Sequence, residues 1–310
     1  MIRIALIGPK DRPEIGRLAI RLEERGAEPV FLDSRADPAI AIAPDRIEAC
    51  GQDLDRVRGA YVADLGIRSP GASVAANDPG VPAGARRSLA ASLRHLSSWN
   101  ALLEKLGERG PVVNPPTTHD LHSLKPFEIS VYAGAGLPAP PTVATNDPAS
   151  LLRHLADEGA DGWVVKGMVG GYTHTETVET PRSEEAAGLL LRDGPRMVQR
   201  RVEGDNVRAF VLDGAVVGAA EVVSIEGCEI DSRRGETRIR RIEIPEAAAR
   251  TAVCAAARWG MPFAAVDFMR DARTGEYRIL ECNSAPFFVV FEGRAGLDLS
   301  GKLADFLLGR

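Results

Sequence analysis

Two apolar segments near the end of the chain carry acidic and amide side chains, and this pattern constrains the fold. Residues 264–269 and 277–282 have the composition of strands, and residues 271–275 between them have turn chemistry. The pattern predicts a β-hairpin. Because side chains alternate across a strand, Glu281 and Asn283 are expected on one face of it.

Asp267 lies on the first predicted strand, where its side chain can share that face. Two carboxylates and an amide oxygen would then converge on one point. Such hard oxygen donors are typical of a Mg²⁺ site that is completed by substrate phosphates. The alternative is a pair of strand acids that face water. The apolar neighbours of these acids favour the metal site, because an unpaired charge among core residues is costly.

Composition narrows the class of protein. With 310 residues, the chain can form two or three domains, and its 45% apolar and 26% charged residues are ordinary for a globular protein. A net charge of -5 disfavours nucleic acid as the main partner. No segment reaches the roughly 18 uninterrupted apolar residues of a membrane helix, and the start lacks a secretory signal pattern. These features predict a cytoplasmic location without a membrane partner.

The first 32 residues show a strand–helix–strand pattern, with apolar strands at 2–8 and 28–32 and an amphipathic helix at 13–25. This predicts a small α/β domain with a parallel sheet. The connection GPKDRPEIG lacks the G-x-G-x-x-G turn, so a dinucleotide site is not expected there.

A lysine and a glycine-rich segment occur together in the middle of the chain. The predicted strand GWVVK ends on Lys166, and GMVGGYTHT follows it. Glycine lets backbone N–H groups approach oxyanions, and a lysine adds a positive charge, so the pair could hold phosphate. The spacing of a Walker A loop is absent. A glycine-rich hairpin turn without a ligand is the alternative.

Taken in chain order, these features resemble one family. A lysine before a helix (Lys125), Lys166 with its glycine-rich loop, and the series Asp267, Glu281 and Asn283 resemble the ATP-grasp superfamily. Within it, the chain is most similar to RimK-like and glutathione-synthetase-like carboxylate–amine ligases, and in particular to the branch of graspetide (microviridin-type) macrocyclases. The resemblance extends over roughly residues 113–306.

The resemblance implies an α/β fold class, in which an N-terminal parallel-sheet domain precedes two α+β subdomains that grip ATP between antiparallel sheets. The expected boundaries are residues 1–113 for the N-terminal domain and 114–200 for the central subdomain with the glycine-rich loop. Residues 201–310 would form the C-terminal subdomain with the magnesium site.

The resemblance also assigns roles to residues. Nucleotide phosphates would be bound by two lysines and by the covering loop, namely Lys125, Lys166, Gly170 and Gly171. Residues 199–202, which begin with Gln199, match the segment whose backbone binds adenine, with Val202 as the donor. Asp267, Glu281 and Asn283 match the Mg²⁺ ligands.

Two features depart from the family pattern or lack a fixed assignment. An acid usually contacts the ribose, but that position holds Asn206, so either Asn206 or the adjacent Asp205 serves. Arg208 matches a basic residue near the phosphates and the substrate. In the segment DSRR, Arg233 and Arg234 are candidates for binding the acceptor carboxylate or an acyl phosphate, because a guanidinium group fits both. The alternative for these two is a solvated basic edge.

The resemblance implies ATP-dependent ligation of a carboxylate to an amine through an acyl phosphate. The amine would belong to an amino acid or a peptide. The implied cofactors are ATP and one or two Mg²⁺ ions, with Mn²⁺ as an alternative. Two other functions stay open: a small-molecule kinase of the same fold, and a non-catalytic nucleotide-binding or regulatory module. A homodimer is an analogy with relatives only.

Overall fold

The computed structural model describes residues 1–35, 39–65, 83–156, 162–168, 175–224 and 237–310. Contacts between residues divide the chain into two compact units, each made from separate stretches of sequence. Unit 1 comprises Met1–Pro116, Ala285–Val289 and Asp298–Arg310, and unit 2 comprises Thr117–Ser284 and Val290–Leu297. In the described part of the chain, no helix is both long and apolar enough to cross a membrane.

The elements are numbered here in chain order. The helices are α1 (Pro13–Glu24), α2 (Ala83–Gly107), α3 (Lys125–Gly134), α4 (Pro148–Leu155), α5 (Glu184–Leu190), α6 (Glu246–Arg258), α7 (Val289–Ala295) and α8 (Leu299–Leu307), and a 3₁₀ helix covers Pro116–Ser123. The strands are β1 (Arg3–Ile7), β2 (Glu28–Leu32), β3 (Ile40–Ile42), β4 (Ile47–Ala49), β5 (Gln52–Asp53), β6 (Val57–Val62), β7 (Val112–Val113), β8 (Thr142–Thr145), β9 (Trp163–Lys166), β10 (Glu176–Val178), β11 (Arg196–Arg200), β12 (Gly204–Leu212), β13 (Ala215–Ser224), β14 (Thr237–Ile242), β15 (Phe263–Asp271) and β16 (Tyr277–Asn283).

Unit 1 is built on a parallel sheet in the order β2-β1-β6-β7. The central strand β1 is apolar and buried from Ile4 to Ile7, because both faces of a parallel sheet are covered. Trp99 and the leucines that follow it on α2 pack into the same core. The parallel-sheet domain predicted from the strand–helix–strand pattern is therefore confirmed. A small antiparallel sheet, β3-β4-β5, was not predicted.

Helix α8 belongs to unit 1, although it ends the chain. It packs against α1, and the Arg25 Nε atom lies 2.6 Å from Asp305 Oδ1. Leu303 and Leu307 are buried there. The helix that the sequence predicts over 297–308 is therefore confirmed by α8. Helix α7 was not predicted, and it ends just before Gly296, whose positive φ of 65° favours glycine.

The described residues of unit 2 form two antiparallel sheets. The first has the order β10-β9-β11-β8. Helices α4 and α5 cover it through a small core in which Leu151 and Leu155 pack with Trp163 and Val198. Lys166 stands at the end of β9 in this sheet, as the sequence predicted for a strand that ends on a lysine.

The second sheet of unit 2 has the order β14-β13-β12-β15-β16. Helix α6 packs on one face of it through alanines, including Ala248, Ala252 and Ala255, whose small side chains allow a close approach. The predicted hairpin is present as β15 and β16, paired in antiparallel register. The opposite face of these strands carries the candidate site.

Together, the parallel sheet and the two antiparallel sheets confirm the predicted α/β fold class. The segment PVVNPPT at 111–117 has the pattern of a strand that two prolines end; in the structure only β7 is extended, and the 3₁₀ helix starts at Pro116. The division into domains at residues 113 and 200 stays a prediction, and the two compact units are the division that the contacts give.

Candidate active site

A row of charged side chains crosses three neighbouring strands of unit 2. Arg208 on β12 lies opposite Asp267 on β15, which in turn lies opposite Glu281 on β16. Asn283 is two residues beyond Glu281 on the same face, opposite Ala265. The register therefore places Asp267, Glu281 and Asn283 together, as alternation along the strands predicted, and Arg208 beside them.

Asp267 receives hydrogen bonds from two members of this row. The Nε and Nη2 atoms of Arg208 donate to its two carboxylate oxygens at 2.6 and 2.7 Å, which is a bidentate ion pair. Asn283 Nδ2 donates to Asp267 Oδ2 at 3.0 Å. The orientation of the Asp267 carboxylate is thus fixed from two neighbouring strands.

Glu281 is paired by a residue from outside the sheet. Lys125 is the first residue of α3, and its Nζ atom lies 2.5 Å from Glu281 Oε2. The side chains of Lys125 and Glu281 are 20% and 29% exposed, so this ion pair is partly accessible to solvent. Each of the two carboxylates in the row therefore has its own basic partner.

The two carboxyl groups titrate differently. Burial would raise the pKa of Glu281, but the charge and hydrogen bond of Lys125, together with the charges of Lys166 and Arg208, lower that pKa to about 2. Burial raises the pKa of Asp267; the Arg208 guanidinium opposes this, and the Glu281 charge adds to it. Two carboxyl groups in one site have separated pKa values for this reason.

The row has the donor chemistry that Mg²⁺ requires. Asp267, Glu281 and Asn283 offer carboxylate and amide oxygens on one face of adjacent strands. Across the described ranges, no group of three or more His, Cys, Asp and Glu side chains could hold a metal. The candidate set of two carboxylates and one amide fits the ion. A divalent cation can balance the negative charges of Asp267 and Glu281, which Arg208 and Lys125 balance in this structure.

Lys166 lies within electrostatic reach of this row, because its charge contributes to the low pKa of Glu281. It is partly buried at the end of β9. Of the glycine-rich segment that follows, residues 169–174 lie outside the described residues, and Gly170 and Gly171 are among them. The same holds for residues 225–236, which include Arg233 and Arg234.

The predicted adenine-binding segment joins the two sheets of unit 2. Gln199 is buried, and its Nε2 atom donates to Thr142 Oγ1 at 2.9 Å, so its side chain links β11 to β8. The N–H groups of Arg200 and Arg201 donate to backbone carbonyls of Pro141 and Gly162. Val202 comes next, just before β12 begins.

Asp205 and Asn206 project from opposite faces of β12. Asn206 is two residues before Arg208 and therefore shares its face. Asp205 lies on the other face, where its Oδ2 accepts a hydrogen bond from Arg270 Nε at 3.1 Å. Arg270 also donates to the buried Glu221 at 3.0 Å. Asp205 is thus committed to an ion-pair network away from the charged row.

Sequence reasoning missed one buried acid beside the site. Glu128 on α3 is only 2% exposed, and burial raises its pKa to about 8. Its Oε1 atom accepts hydrogen bonds from Tyr132 Oη at 2.8 Å and from the backbone N–H of Cys282 at 2.6 Å. The available signal was its spacing of three residues from Lys125, which puts both on one side of the helix.

Comparison with known proteins gives the family. Residues 197–307 match the model of the RimK-like ATP-grasp domain. The chain is 29% identical over 194 residues to a probable alpha-L-glutamate ligase of Pseudoalteromonas translucida (strain TAC 125), which covers 59% of this chain and 62% of that protein. It is 35% identical over 189 residues to the protein of that name from Aeromonas salmonicida (strain A449), with coverages of 59% and 62%.

Solved structures resemble the whole chain. The ATP-grasp ligase PsnB, in complex with a phosphomimetic variant of its minimal precursor, Mg and ADP, superposes with a TM-score of 0.81 at 30% identity, covering 99% of this chain and 97% of that one. The macrocyclase MdnC from Microcystis aeruginosa MRC, bound with precursor peptide MdnA, has a TM-score of 0.75 at 16% identity and covers both chains fully, at 100%. This second likeness shows the fold alone.

The two antiparallel sheets and the paired charges on one of them define a protein of the ATP-grasp class. The chain belongs to the ATP-grasp ligase family and carries a RimK-like ATP-grasp domain at residues 197–307. Its match spans about three fifths of the length of the curated relatives named above, since 62% of each is covered.

Proposed function

We propose that this protein is an ADP-forming carboxylate–amine ligase. A substrate carboxylate oxygen attacks the γ-phosphorus of ATP, which gives an acyl phosphate and ADP. An amine nitrogen then attacks the acyl carbon, phosphate leaves, and the amine loses a proton to complete the amide. The observation that carries the proposal is the row of Arg208, Asp267, Glu281 and Asn283 with Lys125 on one face of a RimK-like sheet.

Phosphoryl transfer depends on positioning and charge neutralisation more than on covalent help from the protein. In this proposal, Asp267, Glu281 and Asn283 would hold one or two Mg²⁺ ions, with Mn²⁺ as an alternative. The metal would supply charge neutralisation at the phosphates. With Asp267 and Glu281 holding the metal, Lys125 and Arg208 would be available to bind phosphate oxygens.

The other proposed nucleotide contacts depend on which backbone N–H groups already donate hydrogen bonds within the protein. Because the N–H groups of Arg200 and Arg201 already donate to carbonyls, the proposed donor to adenine is Val202. Gln199 supports this segment from the side through Thr142. Asn206, which shares a face with Arg208, is the proposed ribose contact in place of Asp205.

The proposed substrates are a carboxylate and an amine, and the amine is carried by an amino acid or a peptide. The support is similarity: PsnB is solved with a minimal precursor, and the curated relatives are named as probable glutamate ligases. Lys166, Gly170 and Gly171 would bind the nucleotide phosphates, and Arg233 and Arg234 would bind the acceptor carboxylate or the acyl phosphate. A homodimer and a cytoplasmic location stay predictions.

The test is release of ADP from Mg–ATP in the presence of candidate carboxylates and amines, with mass spectrometry of the products. A ligase releases ADP over many turnovers only when both substrates are present, and its product lacks one water relative to their sum. ADP formed without an amine, together with a stable phosphate ester, would replace the proposal with a kinase. Tight nucleotide binding without ADP release under any condition would favour a regulatory module.

A further inference from the structure

A buried carboxyl group joins helix α3 to the strand that carries two of the candidate metal ligands. Glu128 Oε1 accepts hydrogen bonds from Cys282 N at 2.6 Å and Tyr132 Oη at 2.8 Å. The Tyr132 hydroxyl in turn accepts from Trp259 Nε1 at 2.9 Å. All of these contacts lie within unit 2, and they tie α3, β16 and the end of α6 together.

The position of the Cys282 amide makes this contact specific. Within the described ranges, strand β16 is at the edge of the five-stranded sheet, so the N–H groups on its outer side have no neighbouring strand there. An unpaired buried N–H is costly. Glu128 supplies the acceptor that a further strand would have supplied, and it does so at the residue between Glu281 and Asn283.

The same helix and the same strand also form the Lys125–Glu281 ion pair. Lys125 and Glu128 are one turn apart on α3, while Glu281 and Cys282 are adjacent on β16. In the proposed function, Lys125 would bind phosphate and Glu281 would bind metal, so the ion pair between the two residues would be broken. The contact between Glu128 and the Cys282 backbone does not take part in this change of partners.

We propose that Glu128 is a positioning residue, which sets the spacing between Lys125 and the Glu281–Asn283 pair through the Cys282 amide. This inference rests on the proposed function, because it concerns how the phosphate-binding lysine and the metal ligands of that site are kept in register. Residues that orient ligands from behind typically change metal affinity by about 10- to 100-fold when removed.

The experiment measures the Kd for ADP by calorimetry, once with excess Mg²⁺ and once with EDTA. The Kd with EDTA divided by the Kd with Mg²⁺ is the ratio by which Mg²⁺ strengthens ADP binding. Glu128→Ala and Glu128→Asp should each lower this ratio by about 10-fold or more, since neither side chain can reach the Cys282 N–H. Glu128→Gln should stay within about threefold of the wild type, because its amide oxygen can accept the same hydrogen bond.

A matched control separates positioning from folding. Glu221→Ala removes an equally buried carboxylate from the other face of the same sheet. It should lower the thermal midpoint and leave the Mg²⁺ dependence of ADP affinity unchanged. If Glu128→Ala does not fold, the Glu128→Asp and Glu128→Gln pair decides the question.

The outcomes distinguish this inference from the proposed function. Suppose that the wild type binds ADP in a Mg²⁺-dependent way, and that folded Glu128→Asp or Glu128→Ala variants keep the wild-type ratio. This result overturns the inference and does not contradict the proposed function. A wild-type protein without Mg²⁺-dependent ADP binding overturns both.

Discussion

Asn206 and Asp205 are adjacent residues with opposite surroundings, and this difference yields a direct test. Asn206 shares the face of Arg208, while Asp205 is held by Arg270 on the other face. We expect Asn206→Ala to weaken ADP binding by about fivefold to tenfold, the size of one lost hydrogen bond. Asp205→Ala should leave the Kd for ADP within about twofold. Calorimetry with both variants checks this, and the reverse ranking would assign the ribose to Asp205.

The candidate metal ligands make a second prediction at this scale. Asp267→Asn and Glu281→Gln keep the shape of each side chain but remove the charge that a divalent cation needs. ADP release should fall by about 100-fold or more in each variant. Circular dichroism should show an intact fold. Asp271→Asn, at the turn end of the same strand, serves as the control, and equal activity in all three variants would exclude a metal site here.

Sequence alone was sufficient for part of this site. Alternation along β16 places Glu281 and Asn283 on one face, because the period of a strand is a local property, whereas Asp267 joins them through the register of the hairpin. It could not reveal that Lys125 pairs with Glu281, since those residues are 156 positions apart and meet only through the fold. It also left Asp205 and Asn206 open, because the register of β12 against β15 depends on tertiary pairing.

At the scale of elements, the docking of α3 on β16 should make stability depend on pH. Burial raises the pKa of Glu128 from an ordinary 4.5 to about 8 in the folded protein. The folded state therefore holds a proton that the unfolded state releases, and stability falls as pH rises from about 4.5 to 8. The limiting slope is about 1.4 kcal/mol per pH unit.

Urea unfolding of the wild type and Glu128→Gln between pH 5 and pH 8 measures this effect. The glutamine is neutral at every pH, so the variant should gain stability relative to the wild type as pH rises. A difference in unfolding free energy that stays constant over this range would mean that Glu128 is ionised in the folded protein. Far-UV circular dichroism follows the same transition.

Other elements show where sequence patterns are informative. Strand β2 follows its predicted bounds of 28–32, because its apolar run is short and flanked by clear breaks. Strands β3, β4 and β5 were missed, since two or three residues are too few to show a period. Helix α7 was missed because its seven residues are too few to show a helical period, and an apolar run before Gly296 is equally typical of a connection that leads into α8.

At the scale of the whole molecule, the paired charges predict that Mg²⁺ and nucleotide bind cooperatively. Without ligands, Lys125 neutralises Glu281 and Arg208 neutralises Asp267. Either ligand alone must break these pairs and leave charges without partners, whereas both together give each charge a new partner. Thermal midpoints should rise much more with Mg²⁺ and ADP together than the separate shifts combined. Additive shifts would contradict this.

The C-terminal helix makes a further prediction about stability. Leu303 on α8 is fully buried in unit 1, whereas Asp305 is 41% exposed and pairs with Arg25. Leu303→Ala should cost about 2–5 kcal/mol of unfolding free energy through the cavity that it leaves. Asp305→Ala should cost less than about 1 kcal/mol. Denaturant unfolding compares the two, and equal costs would show that α8 does not belong to the core.

The division of α1 and α8 between the two ends of the chain has a consequence for synthesis on the ribosome. Arg25 emerges early, but its partner Asp305 follows 280 residues later. Between them, the chain leaves unit 1 at Pro116, returns for Ala285–Val289, leaves again, and comes back at Asp298. Unit 2 can be nearly complete while unit 1 still lacks its last helix. Strands β1 and β2 are therefore made before unit 2, whereas α8 is made after it, and a nascent chain that stalls before Asp298 leaves the surface of α1 that α8 covers exposed.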